Sequence, residues 1–312
     1  MAHYLVTGGC GFIGSHLVDA LMAQGHRVRI LDNLSTGHRS NVPRHCEVRV
    51  ADICEPSVVE AAMQGMDGCF HLAAIASVER SNEAWVETHE VNLTGSIRVF
   101  EAARANSTPV VYASSAAIYG DNENMPLSEK EAPSPLTAYG ADKLGSELHA
   151  RVASLVHGVP TTGMRFFNVF GPRQDPKSPY SGVISIFADR IMASQPLMIF
   201  GDGEQTRDFI YVGDVVRFLM AAMQNVGAEA KVYNVCRGGT MSVNELATTL
   251  MSITGYKTEI SYQPARRGDI RRSIGDPSKA NREINIHAKT TVEEGLRELV
   301  SFINGEWRQR SA

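Results

Sequence analysis

Tyr139 and Lys143, in Tyr139-Gly-Ala-Asp-Lys143, put a phenol and an ammonium four residues apart, and residues at i and i+4 share one face of a helix. A free tyrosine titrates near 10 and is a poor base at neutral pH. A neighbouring cation stabilises its phenolate, as does the positive ring of an oxidised nicotinamide. Lowering the pKa by ~3 units takes roughly 4 kcal/mol. The pair is a candidate acid/base for moving the proton of an alcohol, although surface pairs share its spacing. The other end of the chain supplies the context, in Thr7-Gly8-Gly9-Cys10-Gly11-Phe12-Ile13-Gly14.

That segment fits both Gly9-x-Gly11-x-x-Gly14 and Gly8-x-x-Gly11-x-x-Gly14. It joins a strand-like run, His3–Thr7, to an amphipathic one, Phe12–Gln24, and Asp32 ends the next strand-like run. Strand, glycine turn, helix and a later acidic residue together make the dinucleotide fingerprint. Glycines let the backbone turn tightly and approach the pyrophosphate, which rests on the helix N-terminus. Asp32 suits the adenosine ribose hydroxyls and repels a 2′-phosphate, so NAD is expected rather than NADP. Asp52 and Ile53 close the third strand and are placed to touch the adenine. Leu72, Ala73 and Ala74 close the fourth, where small residues admit a dinucleotide. Asn92 is read as mid-helix, on a polar face, and as a further cofactor contact.

The elements that must position these groups alternate. Strand candidates are His3–Thr7, Arg27–Leu31, Glu47–Val50, Cys69–Leu72, Pro109–Ala113 and Pro160–Met164, with helical patterns at Phe12–Gln24, Pro56–Met63 and Trp85–Ala105 between them. Alternating βα units imply a parallel sheet covered on both faces. The expected fold is α/β, a Rossmann-type doubly wound parallel sheet with a smaller mixed α/β substrate-binding lobe. The NAD-binding part is expected over residues 1–165, with a later strand near 231–236 returning to it, and the second lobe over 166–312. Helices are expected at Gly182–Ser194, Asp214–Asn225 and Val243–Ile253, the last opened by a Ser242…Glu245 capping box, and a C-terminal one after Thr291…Glu294. Gly201-Asp202-Gly203 reads as the turn of a hairpin.

Composition narrows the function classes. With 312 residues, 43% hydrophobic and 21% charged, the chain reads as an ordinary soluble globular protein with ample core. A net charge of -4 gives no reason to expect nucleic acid or an anionic membrane as partner. No apolar run approaches the ~18 residues that a span requires. His3-Tyr4-Leu5-Val6 enters a strand at once, unlike a signal peptide. Cys10, Cys46, Cys54, Cys69 and Cys236 are scattered and odd in number, which reads as reduced thiols in a cytoplasmic protein. No histidine or cysteine spacing suggests a metal.

Together these residues resemble the extended short-chain dehydrogenase/reductase family, in its NAD-dependent nucleotide-sugar epimerase/dehydratase branch. The resemblance runs from residue 3 to about 300. It includes Thr7–Gly14, Asp52-Ile53, His71–Ala74, Ser114-Ser115, Tyr139–Lys143, Arg165–Pro172, Gly201-Asp202-Gly203…Arg207-Asp208 and Arg266-Arg267-Gly268-Asp269. It implies that a serine after the fifth strand bonds the reacting sugar hydroxyl; this maps to Ser115, with Ser114 the alternative one residue away. It also implies cofactor contacts at Phe12, Ile13, Asn33 and Phe166 and a second lobe that holds a nucleoside diphosphate. Asn168 and Arg207 would touch the diphosphate, Arg266 and Asp269 the phosphate and ribose, and Ser77, Val183 and Ser273 the substrate pocket. The planar, permanently charged guanidinium suits phosphate oxygens. Relatives are often dimers built on helices near 85–105 and 140–156, so a homodimer is expected.

Ser115-Ala116-Ala117-Ile118-Tyr119-Gly120 bears on the reaction. Dehydrating relatives have an Asp-Glu pair here, and decarboxylating ones commonly a Glu. Alanine cannot move a proton. One acid/base then serves oxidation and re-reduction at a single carbon, and the expected reaction is inversion of C4 of a UDP-hexose through a 4-keto sugar. Another nucleotide-sugar epimerase or oxidoreductase, such as a UDP-uronic acid 4-epimerase, is the alternative. A dinucleotide sensor without catalysis would predict a broken Ser/Tyr/Lys set, and here it is intact. A small Ser273, where a tyrosine accompanies enzymes restricted to glucose and galactose sugars, favours UDP-GlcNAc and UDP-GalNAc, with UDP-Glc and UDP-Gal also accepted.

Overall fold

The computed structural model describes residues 1–176, 182–265 and 270–310, without the side chains of 306–310. Its centre is a seven-stranded parallel sheet. The strands β1 (His3–Thr7), β2 (Arg27–Asp32), β3 (Glu47–Val50), β4 (Gly68–His71), β5 (Val110–Ser115) and β6 (Thr161–Phe166) are joined by β11 (Lys231–Val235), in the order β11-β6-β5-β4-β1-β2-β3. The order reverses between β1 and β4, which opens a crevice at their C-terminal ends, where a doubly wound sheet takes its ligand.

Both faces are covered, because each helix turns one apolar stripe inward. One core joins the sheet to α1 (Phe12–Ala23) through Leu17, Val18 and Leu21, and to α8 (Val212–Gln224) through Val215, Phe218 and Leu219. The opposite core uses α2 (Pro56–Met63), α5 (Gly95–Arg104) and α6 (Ala138–His157), with Val59, Val99, Phe100 and Ala150. Each fully buried Val, Leu or Phe side chain among these contributes ~1.5–3 kcal/mol. Thr137 starts α6 by accepting from Gly140 N, and Gly158 in the left-handed region (φ 67°) ends it.

The run expected as one helix over 85–105 is interrupted. After a short α3 (Val78–Glu83), α4 (Trp85–His89) passes through a π-helical turn, Glu90–Thr94, into α5. The extra residue of a π turn breaks the 3.6-residue phase. Asn92, expected on a polar face, is consequently turned inward and only 1% exposed.

The remaining elements are small and pair across long separations. β7 (Asn168–Phe170) pairs with β10 (Phe209–Tyr211), and β8 (Leu197–Phe200) with β13 (Ile260–Gln263). β9 (Thr206–Arg207) lies between β12 (Met241–Ser242) and β14 (Arg272–Ser273). The hairpin expected at Gly201–Gly203 is therefore absent: the two glycines, at φ 79° and 78°, turn the chain from one small sheet into another. α7 (Val183–Met192), α9 (Val243–Thr254) with the expected Ser242–Glu245 capping box, and α11 (Val292–Arg310) close a third core around Phe187, Leu246 and Leu296. α10 (Ser278–Ile284) packs back on the first core through Ala280 and Ile284.

Candidate active site and dinucleotide cleft

A cavity of about 850 Å³ opens at the reversal point between β1 and β4. Gly8, Gly11, Phe12, Ile13 and Gly14 line it beside Asp32, Asn33, Asp52 and Ile53. Gly8 has φ 69°, and a Cβ there would stand 2.7 Å from Ala73 N. A Cβ at Gly14 would overlap the Gly8 carbonyl oxygen. Only glycines permit both the turn and its contact with the end of β4. α1 begins with neither a capping side chain nor an acidic residue in its first turn, so its first N–H groups face the cavity end unclaimed by side chains, as an anion requires.

Asp32, 7% exposed, accepts from Cys10 N (2.9 Å) and Leu34 N (2.8 Å). Its carboxylate thus holds the glycine turn to the β2 loop while lining the cavity. Asn33 donates to Asp52 Oδ2 (2.9 Å), tying the two strand ends together. Leu72, Ala73 and Ala74 form the wall opposite. A glycine cradle closed to any Cβ, an uncapped helix start and a carboxylate at the second strand fit a dinucleotide with a free adenosine ribose.

Ser115, Tyr139, Lys143 and Phe166 line the same cavity. A Cβ at Gly140 would lie 2.7 Å from Ala117 O, so the glycine lets α6 press against the turn after β5. That brings Tyr139 to Ser115: burial pushes the phenol's pKa up, and the serine hydroxyl, which pulls it down, does not outweigh it. Ser115 Oγ also accepts from Ala117 N (3.1 Å). Lys143 donates to Ala113 O (2.9 Å) and holds its ammonium 5.7 Å from the centre of the Tyr139 ring. Burial lowers the lysine to about 8, with Asp142 opposing. In the protein alone, burial therefore works against the charged forms of both groups, and the phenolate gains most from a further positive charge placed beside it.

Strand alternation separates the two serines. Ser114 turns away and donates to Glu147, which accepts a bidentate pair from Arg165 (Nε–Oε1 2.9 Å, Nη2–Oε2 2.7 Å). Arg165 also donates to the Tyr119 hydroxyl (2.8 Å), and that hydroxyl to Asn234 Oδ1 (2.7 Å). Glu147 and Arg165 are buried, and breaking such a pair costs ~3–5 kcal/mol. Glu147 went unremarked in the sequence, although it continues the Tyr139, Lys143 spacing by one more turn.

The remaining assignments divide. Asn168 and Val183 line the cavity, and Asn168 Nδ2 donates to Asp208 O (3.2 Å). Asn92 does not line it: Oδ1 accepts from Ile75 N (2.8 Å) and Nδ2 donates to Ile75 O (3.1 Å). Its amide is engaged by the main chain of Ile75. Ser77 is buried at the start of α3, accepting from Arg80 N (3.0 Å). Arg207 and Ser273 face each other in the β9–β14 register. None of these three is among the described residues that line the cavity. Arg266 and Asp269 lie outside the described residues. Arg173 lines the cavity unforeseen, its Nη2 2.7 Å from Asp19 on α1.

Residues 4–236 match the model of the NAD dependent epimerase/dehydratase family. A crystal structure of UDP-glucose 4-epimerase with UDP-glucose from Thermotoga maritima is 37% identical, covers 98% of this chain and 99% of its own, and superposes with a TM-score of 0.94. The UDP-N-acetylglucosamine 4-epimerase of Methanobrevibacter ruminantium M1, in complex with UDP-N-acetylmuramic acid, is 35% identical over 98% and 99%, with a TM-score of 0.93. A UDP-N-acetyl-alpha-D-glucosaminuronate decarboxylase of Bacillus cytotoxicus is 29% identical over 96% of both chains.

Proposed function

The chain belongs to the NAD-dependent epimerase/dehydratase family, whose cofactor is NAD, and we propose that its reaction is inversion of C4 of a UDP-hexose. The observation that carries this reading is the meeting of Ser115, Tyr139 and Lys143 on a cavity shared with the glycine cradle, with alanines at 116 and 117. NAD, when bound, supplies a reversible two-electron oxidation of the carbinol carbon.

Tyr139 takes the proton of the C4 hydroxyl and later returns it. Ser115, beside Tyr139 on the cavity, aligns that hydroxyl, and Lys143 supports the developing phenolate. Asn168 and Val183 border the sugar nucleotide, with Arg207, Arg266 and Asp269 as its diphosphate and ribose contacts. Gripping the nucleotide and leaving the hexose free to turn over places binding energy away from the reacting carbon. UDP-GlcNAc/UDP-GalNAc and UDP-Glc/UDP-Gal are the proposed pairs.

The decarboxylase relative makes a carboxylated sugar worth testing alongside. Purified protein is incubated with a panel of UDP-sugars, including UDP-glucuronic acid, without added cofactor, and C4 configuration is read by NMR. Conversion between C4 epimers supports the reading; loss of carbon dioxide, or no conversion of any hexose, overturns it.

A homodimer is proposed as the working form. Trp85 and Val86 on α4 and Leu148, Val152, Leu155 and Val156 on α6 are large apolar residues between 46% and 73% exposed. A second copy would cover this patch. Light scattering of wild type and Leu155→Glu tests it: a monomeric wild type refutes the dimer.

A further inference from the structure

His71, at the end of β4, is 3% exposed and sits at the middle of a chain of buried hydrogen bonds. Its Nδ1 lies 2.8 Å from Thr7 Oγ1 and its Nε2 3.0 Å from Ser96 Oγ. Each proton in this chain has one place to go. Thr7 Oγ1 already accepts from Ala73 N and from Leu72 N, both at 3.2 Å, the latter shared with the Thr7 carbonyl at 3.1 Å, which engages its two lone pairs. Its hydroxyl proton therefore goes to Nδ1. Ser96 Oγ is 2.5 Å from Asn92 O, a carbonyl that only accepts, so the serine proton goes there. Nε2 must then carry the ring's proton and donate to Ser96. The imidazole is fixed as the neutral Nε2–H form.

The chain closes on the cavity wall at both ends. Thr7, immediately before the glycine turn, grips Leu72 and Ala73 from one side. Asn92, in the π-helical turn, grips both main-chain groups of Ile75 from the other. Between them stand Leu72, Ala73, Ala74 and Ile75, all lining the cavity, with Ala73 N in close approach to Gly8. Ser146 joins from α6, its Oγ 3.3 Å from Ser96 Oγ and donating to Asp142 O (2.9 Å).

We propose that His71 is a positioning residue for the dinucleotide: as a permanently neutral Nε2–H imidazole it fixes the wall formed by residues 72–75 against the glycine turn. A second proton would have to enter at Nδ1, facing the Thr7 hydroxyl proton. Burial, aided by the Lys143 ammonium on α6, lowers the ring to about 3, and the groups bonded to it from β1 and α5, Thr7 and Ser96, are uncharged. His71 would act the same way whichever sugar is turned over, so a failed epimerase assay leaves the following measurements valid.

In nitrogen-15 histidine-labelled protein, the proton–nitrogen coupling pattern of His71 is expected to show Nε2–H only, unchanged between about pH 5 and 8, the range where an ordinary histidine titrates. An Nδ1–H form, or titration in that range, overturns the assignment. NAD and UDP are then titrated into cofactor-stripped protein. His71→Phe keeps the ring and removes both hydrogen bonds; it is expected to weaken NAD by ~10-fold or more while UDP affinity stays unchanged. His71→Gln, able to donate to Ser96, should recover part of the loss. A folded His71→Phe that binds NAD within about twofold of wild type overturns the proposal. Should that variant not fold, Ser96→Ala leaves the imidazole in place and removes its acceptor: weaker NAD binding with normal UDP binding supports the proposal, and unchanged NAD binding refutes it.

Discussion

The two walls of the cavity are built differently. On the dinucleotide side the wall is largely main chain: a glycine turn at φ 69°, an uncapped helix start and the ends of four neighbouring parallel strands. On the side proposed for the sugar nucleotide it is side chain, carried in part on β7 and β10, three-residue strands that pair across a long stretch of sequence. The first wall can shift only if the sheet shifts. The second can be retuned one side chain at a time, which suits a family whose members take different sugars. Changes to the first wall and its acid/base should therefore abolish function, and changes to the second should shade it.

The largest effect is expected from Tyr139→Phe, which removes the proton carrier and keeps the ring. Turnover should fall by roughly 10²–10⁴-fold, with NAD content and UDP affinity retained. The check is the epimerisation rate beside the dinucleotide released on denaturation. Near-normal turnover would show that the phenol is not the base.

Gly14→Ala tests the rigidity of the main-chain wall. Its methyl would overlap the Gly8 carbonyl oxygen, and backbone cannot step aside as a side chain tip can. Destabilisation of ~1–3 kcal/mol and loss of bound NAD are expected, read by thermal melting and by dinucleotide released per chain. A variant that melts and retains NAD like wild type would mean this wall is softer than it looks.

The same contrast explains what the sequence disclosed. Gly8, Gly11, Gly14, Asp32 and Leu72–Ala74 could be placed because strand ends in a parallel sheet meet at one edge whatever the side chains are. Asn92 was placed on a polar face because helical phase was extrapolated through a π turn that no local signal announces. The expected hairpin failed because glycines mark a turn and not the partners of the strands beside it; β8 and β9 enter different sheets. Ser114 and Ser115 are indistinguishable by type, and the resemblance favoured Ser115. Strand alternation now places Ser115 on the cavity and Ser114 on Glu147. Glu147 and Arg165 were missed as a pair because they meet only when α6 lies across β6.

Lys143→Met gives a smaller effect with a definite sign. The folded-state pKa of Lys143 is lowered by burial from 10.5 to about 8. Below about 8 the cofactor-free protein bears the full cost of burying the ammonium. Between that value and 10.5 the unfolded chain keeps a proton that the folded chain releases, so folding becomes more favourable as pH rises. At ~1.4 kcal/mol per unit, the cost is at most about 3 kcal/mol. Lys143→Met should therefore be inactive yet more stable than cofactor-free wild type at pH 7, with the gap closing as pH rises from about 8 to 10.5. Denaturant melts at several pH values read this. A gap that widens with pH would mean that the fold stabilises the ammonium and raises its pKa above 10.5.

The smallest expected effect, and the one that most sharpens the contrast, is at Ser273. The sequence reading treats it as the residue whose small size admits an acetamido group on C2. In the fold it is half-buried on β14, in register with Arg207, and outside the described residues that line the cavity. A tyrosine at 273 would act on the sugar through its reach past Arg207 and not by filling space already bounded by Ser273. Preferences set by one group in a roomy pocket are worth only ~1–3 kcal/mol, so Ser273→Tyr should lower kcat/KM for N-acetylated UDP-sugars by ~10–200-fold and leave the glucose/galactose pair nearly unchanged. Paired kinetics on both sugar classes decide it. Selective loss would show that one side chain beside this wall sets substrate choice while the NAD wall stays untouched. Equal loss on both classes would mean the tyrosine had disturbed Arg207 and the grip on the diphosphate, and would move the search for the specificity residue to other side chains of the sugar-nucleotide wall.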